Sequence, residues 1–205
     1  MVVLHYTALP TAEAALERLC DPAAEVSAHY LIDEAGQVFA LVEEAMRAWH
    51  AGAGAWGSLT DLNSHSIGIE LQNPGDRLFP APQMRALEAL LGEVLARWRM
   101  PPERVIAHSD MAPGRKSDPG PRFDWRRLAL QGLSVWPEAP APAPPDPARF
   151  ARAAAQFGYV APAEGWEAVL HAFRLRFRPW AEGALAGEDV GAIEALAARW
   201  PRPGA

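Results

Sequence analysis

The sequence has a single cysteine, Cys20, among its 205 residues. An internal disulfide is therefore impossible, and the thiolate-rich zinc motifs and iron–sulfur clusters that need several cysteines are excluded. Cys20 closes a predicted helix, where we expect a small buried hydrophobic residue rather than a nucleophile.

The sequence also has no run of about 18 apolar residues, so we expect no transmembrane helix. It begins with an apolar segment typical of a core strand and not with a signal peptide. This start favours a cytoplasmic protein. The alternative is a protein of the periplasm or cell envelope from which an export signal has been trimmed.

Positive charge is scarce in this sequence. The net charge is −6 and no extended basic patch offsets it, which argues against a nucleic-acid partner. The only apparent basic cluster, Arg174, Arg176 and Arg178, alternates with apolar residues, and we expect it to form a solvated edge.

The first two thirds of the chain alternate between apolar runs typical of strands and leucine spacing typical of helices. A glycine-containing hairpin turn is predicted between the second and third strands. This order predicts an α/β (α+β) fold, a mixed β-sheet flanked by helices. The predicted strands cover residues 2–6, 27–33, 37–42, 66–71 and 104–108.

A proline- and alanine-rich segment divides the chain. We predict one domain at residues 1–136, a stiff linker at 137–148 and a small domain of three helices at 149–205. The last segment is marginal as an independent unit, so we expect it to dock on the first domain or to have modest stability.

The loop at residues 108–120, HSDMAPGRKSDPG, brings an imidazole, a cation and a carboxylate close together. His108 follows a short apolar strand, and His5 lies inside the first predicted strand. With Asp118 they form the three-ligand set of a catalytic Zn²⁺, which leaves a position for water. The alternative is two core histidines and a turn aspartate, but the three residues together favour zinc.

Two charged residues are candidates for catalysis beside this metal. Glu70 lies in an apolar strand, where an unpaired carboxylate is costly, and next to zinc it would serve as the general base. Lys116 precedes Asp118 by two residues and would stabilise an oxyanion. The alternatives are an edge-strand glutamate that points to solvent and a surface lysine.

Aromatic and polar residues elsewhere are candidates for contact with a substrate. Trp49 and Trp56 offer flat apolar surfaces suited to a sugar or a peptide. The residues that we expect to bind substrate are His29, Trp49, His50, Asn63 and Arg115.

Residues 2–136 resemble the zinc-dependent N-acetylmuramoyl-L-alanine amidases of the type-2 amidase family, and within it the 1,6-anhydro-muropeptide branch. The resemblance rests on five segments in the same order: VLHYTA, VSAHYLID, RAWHAG, NSHSIGIELQNPG and VIAHSDMAPGRKSDPGPRFDW. It implies the mixed-sheet fold shared with peptidoglycan recognition proteins and phage amidases. The C-terminal helices are similar to the peptidoglycan-binding-type domain of a periplasmic lipoprotein branch.

The resemblance implies the same zinc ligands, His5, His108 and Asp118, with Glu70 and Lys116 at the family's catalytic positions. It implies cleavage of the amide between the lactyl group of N-acetylmuramic acid and L-alanine, in cell-wall turnover or recycling. The expected partners are muropeptides, with intact peptidoglycan as a further candidate. Phage relatives carry a tyrosine at the position of Ala28, and its absence here shifts weight onto Glu70.

Three other functions compete with this interpretation. The first is a peptidoglycan-binding protein without activity, a type that generally lacks one of the metal ligands. The second is a zinc peptidase that acts on the stem peptide. The third is a structural zinc protein, which four protein ligands would favour and three do not.

Overall fold

Five strands form one mixed sheet in the computed structural model, which describes residues 1–138 and 141–202. The spatial order is β3-β2-β4-β1-β5, with parallel neighbours except for the antiparallel β2–β3 hairpin. This arrangement confirms the predicted fold class. The strands are β1 (Val2–Tyr6), β2 (Tyr30–Ile32), β3 (Val38–Ala40), β4 (Ile67–Leu71) and β5 (Val105–Ala107).

Helices cover both faces of the sheet. Two of them, each four residues long, were not predicted from the sequence, because a single helical turn carries no recognisable periodicity. The α-helices of the described residues are α1 (Ala12–Cys20), α2 (Leu62–His65), α3 (Ala81–Trp98), α4 (His108–Met111), α5 (Trp125–Leu130), α6 (Pro147–Phe157), α7 (Trp166–Phe177) and α8 (Gly187–Arg199).

Side-chain alternation along β1 separates two hydrophobic cores. Val2 and Leu4 pack with α3, whereas Val3 packs in the core that includes the C-terminal helices. His5 leaves the strand on the same face as Val3. The first metal-ligand candidate therefore points away from α3, toward the side of the sheet where α4 and the C-terminal helices lie.

The C-terminal helices share one continuous core with the sheet. Phe150 of α6, Phe173 of α7 and Ile193 of α8 belong to the same buried cluster as Val3 and Ile106. The boundaries of the two predicted domains stay a prediction. Residues 139–140 of the predicted linker and residues 203–205 of the predicted second domain lie outside the described residues.

The described part of the predicted linker lies against α8. The backbone N–H of Ala143 donates to the carbonyl of Gly187 over 3.0 Å. The carbonyl of Ala141 approaches Gly191 so closely that a Cβ at that position would overlap it. Glycines at the first and second turns of α8 therefore let the linker pack directly on the helix backbone.

Two expectations about surface exposure are wrong. Arg174 and Arg176 point to nearly opposite sides of α7, since residues two apart on a helix are about 200° apart. Both are buried, because Arg174 pairs with Asp189 of α8 and Arg176 pairs with Asp110 of α4. Cys20 is exposed, because only Ala15 of α1 is buried and the last turn of the helix lies at the surface.

Candidate metal centre and active-site cleft

The candidate site lies where the C-terminal ends of β1 and β4 meet the start of α4. His5 and Glu70 are register partners on the neighbouring parallel strands, so their side chains leave the sheet on one face. His108 is the first residue of α4, directly after β5. Asp118 follows in the loop, and its carbonyl accepts a hydrogen bond from Ser109 N–H over 3.0 Å.

Three buried donor atoms converge at this point. His5 Nδ1 lies 2.9 Å from His108 Nδ1 and 3.1 Å from Asp118 Oδ2. His108 Nδ1 lies 3.0 Å from the same carboxylate oxygen. These spacings are close to the roughly 3.3 Å that separates ligand atoms around a tetrahedral zinc with bonds of about 2.0–2.1 Å. Within the described residues, His5, His108 and Asp118 form the one group that could hold a metal ion.

The outer ring nitrogens orient the two histidines. His108 Nε2 donates to the carbonyl of Ala51 over 2.9 Å, and His5 Nε2 lies 3.0 Å from His50 Nδ1. A carbonyl only accepts, so a neutral His108 presents an unprotonated Nδ1 to Asp118. Two facing acceptors repel unless a cation lies between them. The donor set therefore fits a metal cation whose ligands are held by outer hydrogen bonds.

Electrostatics keep this donor set in its metal-binding protonation state. Burial, aided by His108, lowers the pKa of His5 from 6.5 to about 4. Burial opposes ionisation of Asp118, but its contacts with His108 and His5 outweigh burial and hold the pKa of the carboxyl below its ordinary range. At neutral pH the site thus contains a neutral imidazole at His5 and a carboxylate at Asp118, the forms that bind divalent metals.

Glu70 is a buried carboxyl group whose pKa is raised. Burial and the nearby carboxylate of Asp118 raise the pKa of Glu70 from 4.5 to about 8, while the charge of Lys116 opposes the rise. The Oε2 atom is buried and has no hydrogen-bond partner in the described structure. A carboxyl group that exchanges its proton near neutral pH suits a general acid or base.

Lys116 lies at the exposed side of the same cleft. It is the only lysine in the sequence. Its ammonium lowers the pKa of both His5 and Glu70, which places its charge within electrostatic reach of both. A backbone hydrogen bond of 3.0 Å from Lys116 N–H to Ala112 O fixes the loop that carries it.

A cleft of about 370 Å³ contains the metal-ligand candidates together with Glu70 and Lys116. Trp49, which is 57% exposed, His50 and Arg115 also line it. A larger cavity of about 1040 Å³ lies among the C-terminal helices and contains none of the candidate site residues.

Three of the aromatic and polar candidates for substrate contact do not line this cleft. His29 is fully buried, accepts a hydrogen bond from Gly68 N–H over 2.9 Å and contacts Met46 O over 3.1 Å, so no part of the ring reaches the cleft. Trp56 is buried in the core. Asn63 lies outside the cleft lining, and its Oδ1 accepts from the backbone N–H groups of residues 50 and 51. Asn63 thereby shapes the segment that holds His50.

Arg115 connects the cleft loop to the same segment. Its Nη2 donates to the carbonyls of Ala51, over 2.8 Å, and Ala53. The carbonyl of Ala51 is also the partner of His108 Nε2. Arg115 therefore supports the backbone that orients a metal-ligand candidate, in addition to lining the cleft.

Sequence reasoning missed the supports of the site. His50 contacts His5, and Gly68 is the reason it fits, since a Cβ there would lie 2.3 Å from His50 Cγ. Asp110, Tyr159 and Arg176 form a buried network next to His108. The one sequence feature that could have indicated this network was the position of Arg176 between apolar residues of a helix.

The sequence is similar to those of known proteins. Residues 1–121 match the family described as N-acetylmuramoyl-L-alanine amidase. The chain is 38% identical to N-acetylmuramoyl-L-alanine amidase AmiD of Escherichia coli, over 96% of this chain and 81% of AmiD. It is 37% identical to 1,6-anhydro-N-acetylmuramyl-L-alanine amidase AmpD of Citrobacter freundii, over 50% of this chain and 55% of AmpD.

Two solved structures are similar over nearly the whole chain. One is E. coli AmiD in complex with the substrate anhydro-N-acetylmuramic acid-L-Ala-D-γ-Glu-L-Lys, with a TM-score of 0.90 and 36% identity over 98% of this chain and 89% of AmiD. The other is AmpDh3 of Pseudomonas aeruginosa in complex with anhydromuramic pentapeptide, with a TM-score of 0.87 and 33% identity over 98% and 92% of the two chains. The C-terminal helices are therefore part of the likeness.

Proposed function

The chain belongs to the N-acetylmuramoyl-L-alanine amidase family, and from this premise we propose that it is a zinc hydrolase that releases the stem peptide from N-acetylmuramic acid, including its 1,6-anhydro form. The observation that carries the proposal is the convergence of the three donor atoms of His5, His108 and Asp118 in the cleft that Glu70 lines. A peptidoglycan-binding protein without activity has no need of this complete set.

His5, His108 and Asp118 would hold the zinc ion through Nδ1, Nδ1 and a carboxylate oxygen. Zinc bound by three protein ligands lowers the pKa of water toward about 7 and polarises a carbonyl group. The outer contacts with His50 and Ala51 keep both imidazoles turned toward the ion, and such contacts generally raise metal affinity.

Glu70 carries the proton through the reaction. Its carboxylate accepts a proton from the attacking water as the new C–O bond forms at the lactyl carbonyl carbon. The protonated Glu70 then donates to the alanine nitrogen as the C–N bond breaks, which yields a lactyl carboxylic acid and a free amine. A pKa raised toward neutrality suits both transfers.

Lys116 stabilises the negative charge that develops on the carbonyl oxygen when water attacks. Its ammonium lines the same cleft, and no carboxylate within the described residues forms an ion pair with it. Trp49, His50 and Arg115 are the proposed contacts of the sugar and peptide. Among them Trp49 is the most exposed apolar surface at the cleft, suited to pack on a sugar ring.

The proposed substrates are soluble muropeptides, because AmiD and AmpDh3 were solved with anhydro-muramyl peptides and match over nearly the whole chain. Within the described residues no helix is long and apolar enough to cross a membrane. We also propose that the protein recycles cell-wall fragments. The proposed compartment is the cytoplasm, with the periplasm or cell envelope as the alternative.

The substrate range can be tested with matched anhydro- and reducing-end muropeptides that carry the same stem peptide, with intact sacculi in parallel. We expect release of the complete peptide from the anhydro form. Cleavage of the reducing-end form alone would contradict the anhydro assignment, and sugar binding without peptide release from any of the three would contradict the enzyme assignment.

A further inference from the structure

Asp110 is a fully buried carboxylate two residues after His108. Its Oδ2 accepts a hydrogen bond of 2.9 Å from the N–H of Ala107, the residue that precedes His108. Its Oδ1 accepts from the hydroxyl of Tyr159 over 2.6 Å. Asp110 thus stabilises the turn that carries His108 and connects that turn to the segment after α6.

Arg176 of α7 supplies the positive charge that Asp110 faces. Its Nη1 lies 2.5 Å from Asp110 Oδ2, and its Nη2 donates to the carbonyl of Val105 over 3.0 Å. The guanidinium also lies over the ring of Trp125, 4.4 Å from the centroid. Val105 begins β5 and Asp110 lies just beyond its end, so Arg176 contacts both sides of the segment that presents His108.

This segment also reaches the third ligand candidate. Ser109 N–H donates to the carbonyl of Asp118, and Ala112 N–H donates to the carbonyl of His108. A displacement of α4 would therefore shift His108 and Asp118 together. The two donor atoms of these residues lie 3.0 Å apart, and both belong to the segment that this turn fixes.

Stability alone is a weak reason for such a pair. Removing two opposite charges from water costs about as much as their attraction returns, and apolar residues of similar volume often serve equally well. An ion pair with directional hydrogen bonds also fixes the relative position of its two partners. Here it fixes the position of the turn that carries His108.

We propose that Arg176 and Tyr159 are positioning residues of the metal centre, and that the C-terminal helices hold His108 in its metal-binding geometry through Asp110. The inference rests on the proposed metal centre at His5, His108 and Asp118. It gives the C-terminal helices a role in the site itself, independent of any ligand that they bind.

The test compares two arginines of the same helix. Arg176→Met removes the pair with Asp110. Arg174→Met is the matched control, because Arg174 is also buried and pairs with Asp189 of α8 over 2.6 Å. Its other hydrogen bonds go to the carbonyls of Gly183 and Ala184, and none of these partners lies in β5 or α4. The full chain is used, and folding is checked by circular dichroism at the assay temperature. The readouts are the zinc dissociation constant, by competition with a chromophoric chelator, and the visible spectrum of the Co²⁺-substituted protein.

We expect Arg176→Met to weaken zinc binding by about 10- to 100-fold and to alter the Co²⁺ spectrum, as loss of an outer support does. Arg174→Met should bind zinc like the wild type, and Arg176→Lys should recover part of the affinity by restoring the charge. Tyr159→Phe, which removes one hydroxyl, should weaken binding about 3- to 10-fold and decides the matter if Arg176→Met does not fold.

Wild-type zinc affinity in both Arg176→Met and Tyr159→Phe would overturn this inference alone. An equal loss in Arg174→Met would also overturn it, because the effect would then be general destabilisation. A wild-type protein that binds no zinc would overturn the proposed metal centre and this inference with it.

Discussion

His5 and Glu70 are register partners on adjacent parallel strands, and this pairing places a metal-ligand candidate and the proposed general base on one face of the sheet. The two residues are 65 positions apart in the sequence, and the parallel pairing of β1 with β4 brings them together. The separation of His5 from Glu70 is therefore set by the pairing of two central strands, whose apolar residues are buried and closely packed.

Replacing Glu70 with glutamine separates proton transfer from metal binding. Glu70→Gln keeps the size and polarity of the side chain but removes its proton-accepting group. We expect turnover to fall about 10²- to 10⁴-fold while zinc content stays at the wild-type level. Steady-state cleavage of a muropeptide, combined with metal analysis, measures both; Glu13→Gln, on the first turn of α1, is the control. Turnover within a few fold of wild type would rule out Glu70 as the base.

The same substitution should change how stability depends on pH in the metal-free protein. The pKa of Glu70 is raised by folding from 4.5 to about 8, so the folded state retains a proton that the unfolded state loses between these values. This contribution to stability is complete below pH 4.5 and is lost as pH rises through about 8, by at most about 5 kcal/mol. The Glu70→Gln variant has no carboxyl group at this position, so it does not lose this stability as pH rises. Urea unfolding of both proteins at pH 5 and pH 8 should show a stability difference that grows in favour of the variant; parallel behaviour would argue against a buried, proton-retaining Glu70.

Lys116 can be tested chemically because it is the only lysine. Reductive methylation keeps its charge, whereas acetylation removes it. We expect acetylation to lower turnover about 10²-fold or more, with methylation much milder and zinc retained in both cases. The amino terminus also reacts, so Lys116→Arg, which lacks the reactive amine, is the control. Equal loss of activity in acetylated wild type and acetylated Lys116→Arg would place the effect at the terminus.

Gly68 tests the contact between His50 and His5. A methyl group at position 68 would overlap the His50 ring, since the added Cβ would lie 2.3 Å from Cγ. We expect Gly68→Ala to displace His50 and weaken zinc binding about 10-fold or more through loss of the His5 contact. Gly92→Ala, in the interior of α3 with room for a methyl group, is the control. Unchanged zinc affinity in Gly68→Ala would show that His50 does not orient His5.

Local sequence patterns predicted the fold class and the proximity of His108 to Asp118. The apolar runs predicted β1 at its observed bounds. The loop sequence predicted that Asp118 lies near His108, because the two are only ten positions apart in a loop that contains proline and glycine. His5 lies beside them because β1 pairs with β5. The sequence shows these strands as two apolar runs and does not show that they pair.

The sequence patterns do not predict contacts between segments that are distant in the chain. The contact of Arg176 with Asp110 spans 66 positions and depends on how α7 docks on β5. Arg176 was therefore expected at a solvated edge, and Asp110 was not singled out. The buried position of His29 was not predicted for a related reason. A histidine beside a strand reaches either solvent or the neighbouring backbone, and only the position of β4 decides that its partner is Gly68.

The most direct test of the proposed centre is mass spectrometry of the products from an anhydro-N-acetylmuramyl tripeptide. The substrate is incubated with zinc-loaded protein, with chelator-treated protein, and with His5→Ala, His108→Ala and, as a control outside the site, His171→Ala. We predict free anhydro sugar and an intact peptide that begins with L-alanine, formed by the zinc-loaded wild type and His171→Ala and by none of the others. A shortened peptide still attached to the sugar, or full cleavage by the chelator-treated protein, would contradict the zinc amidase centre.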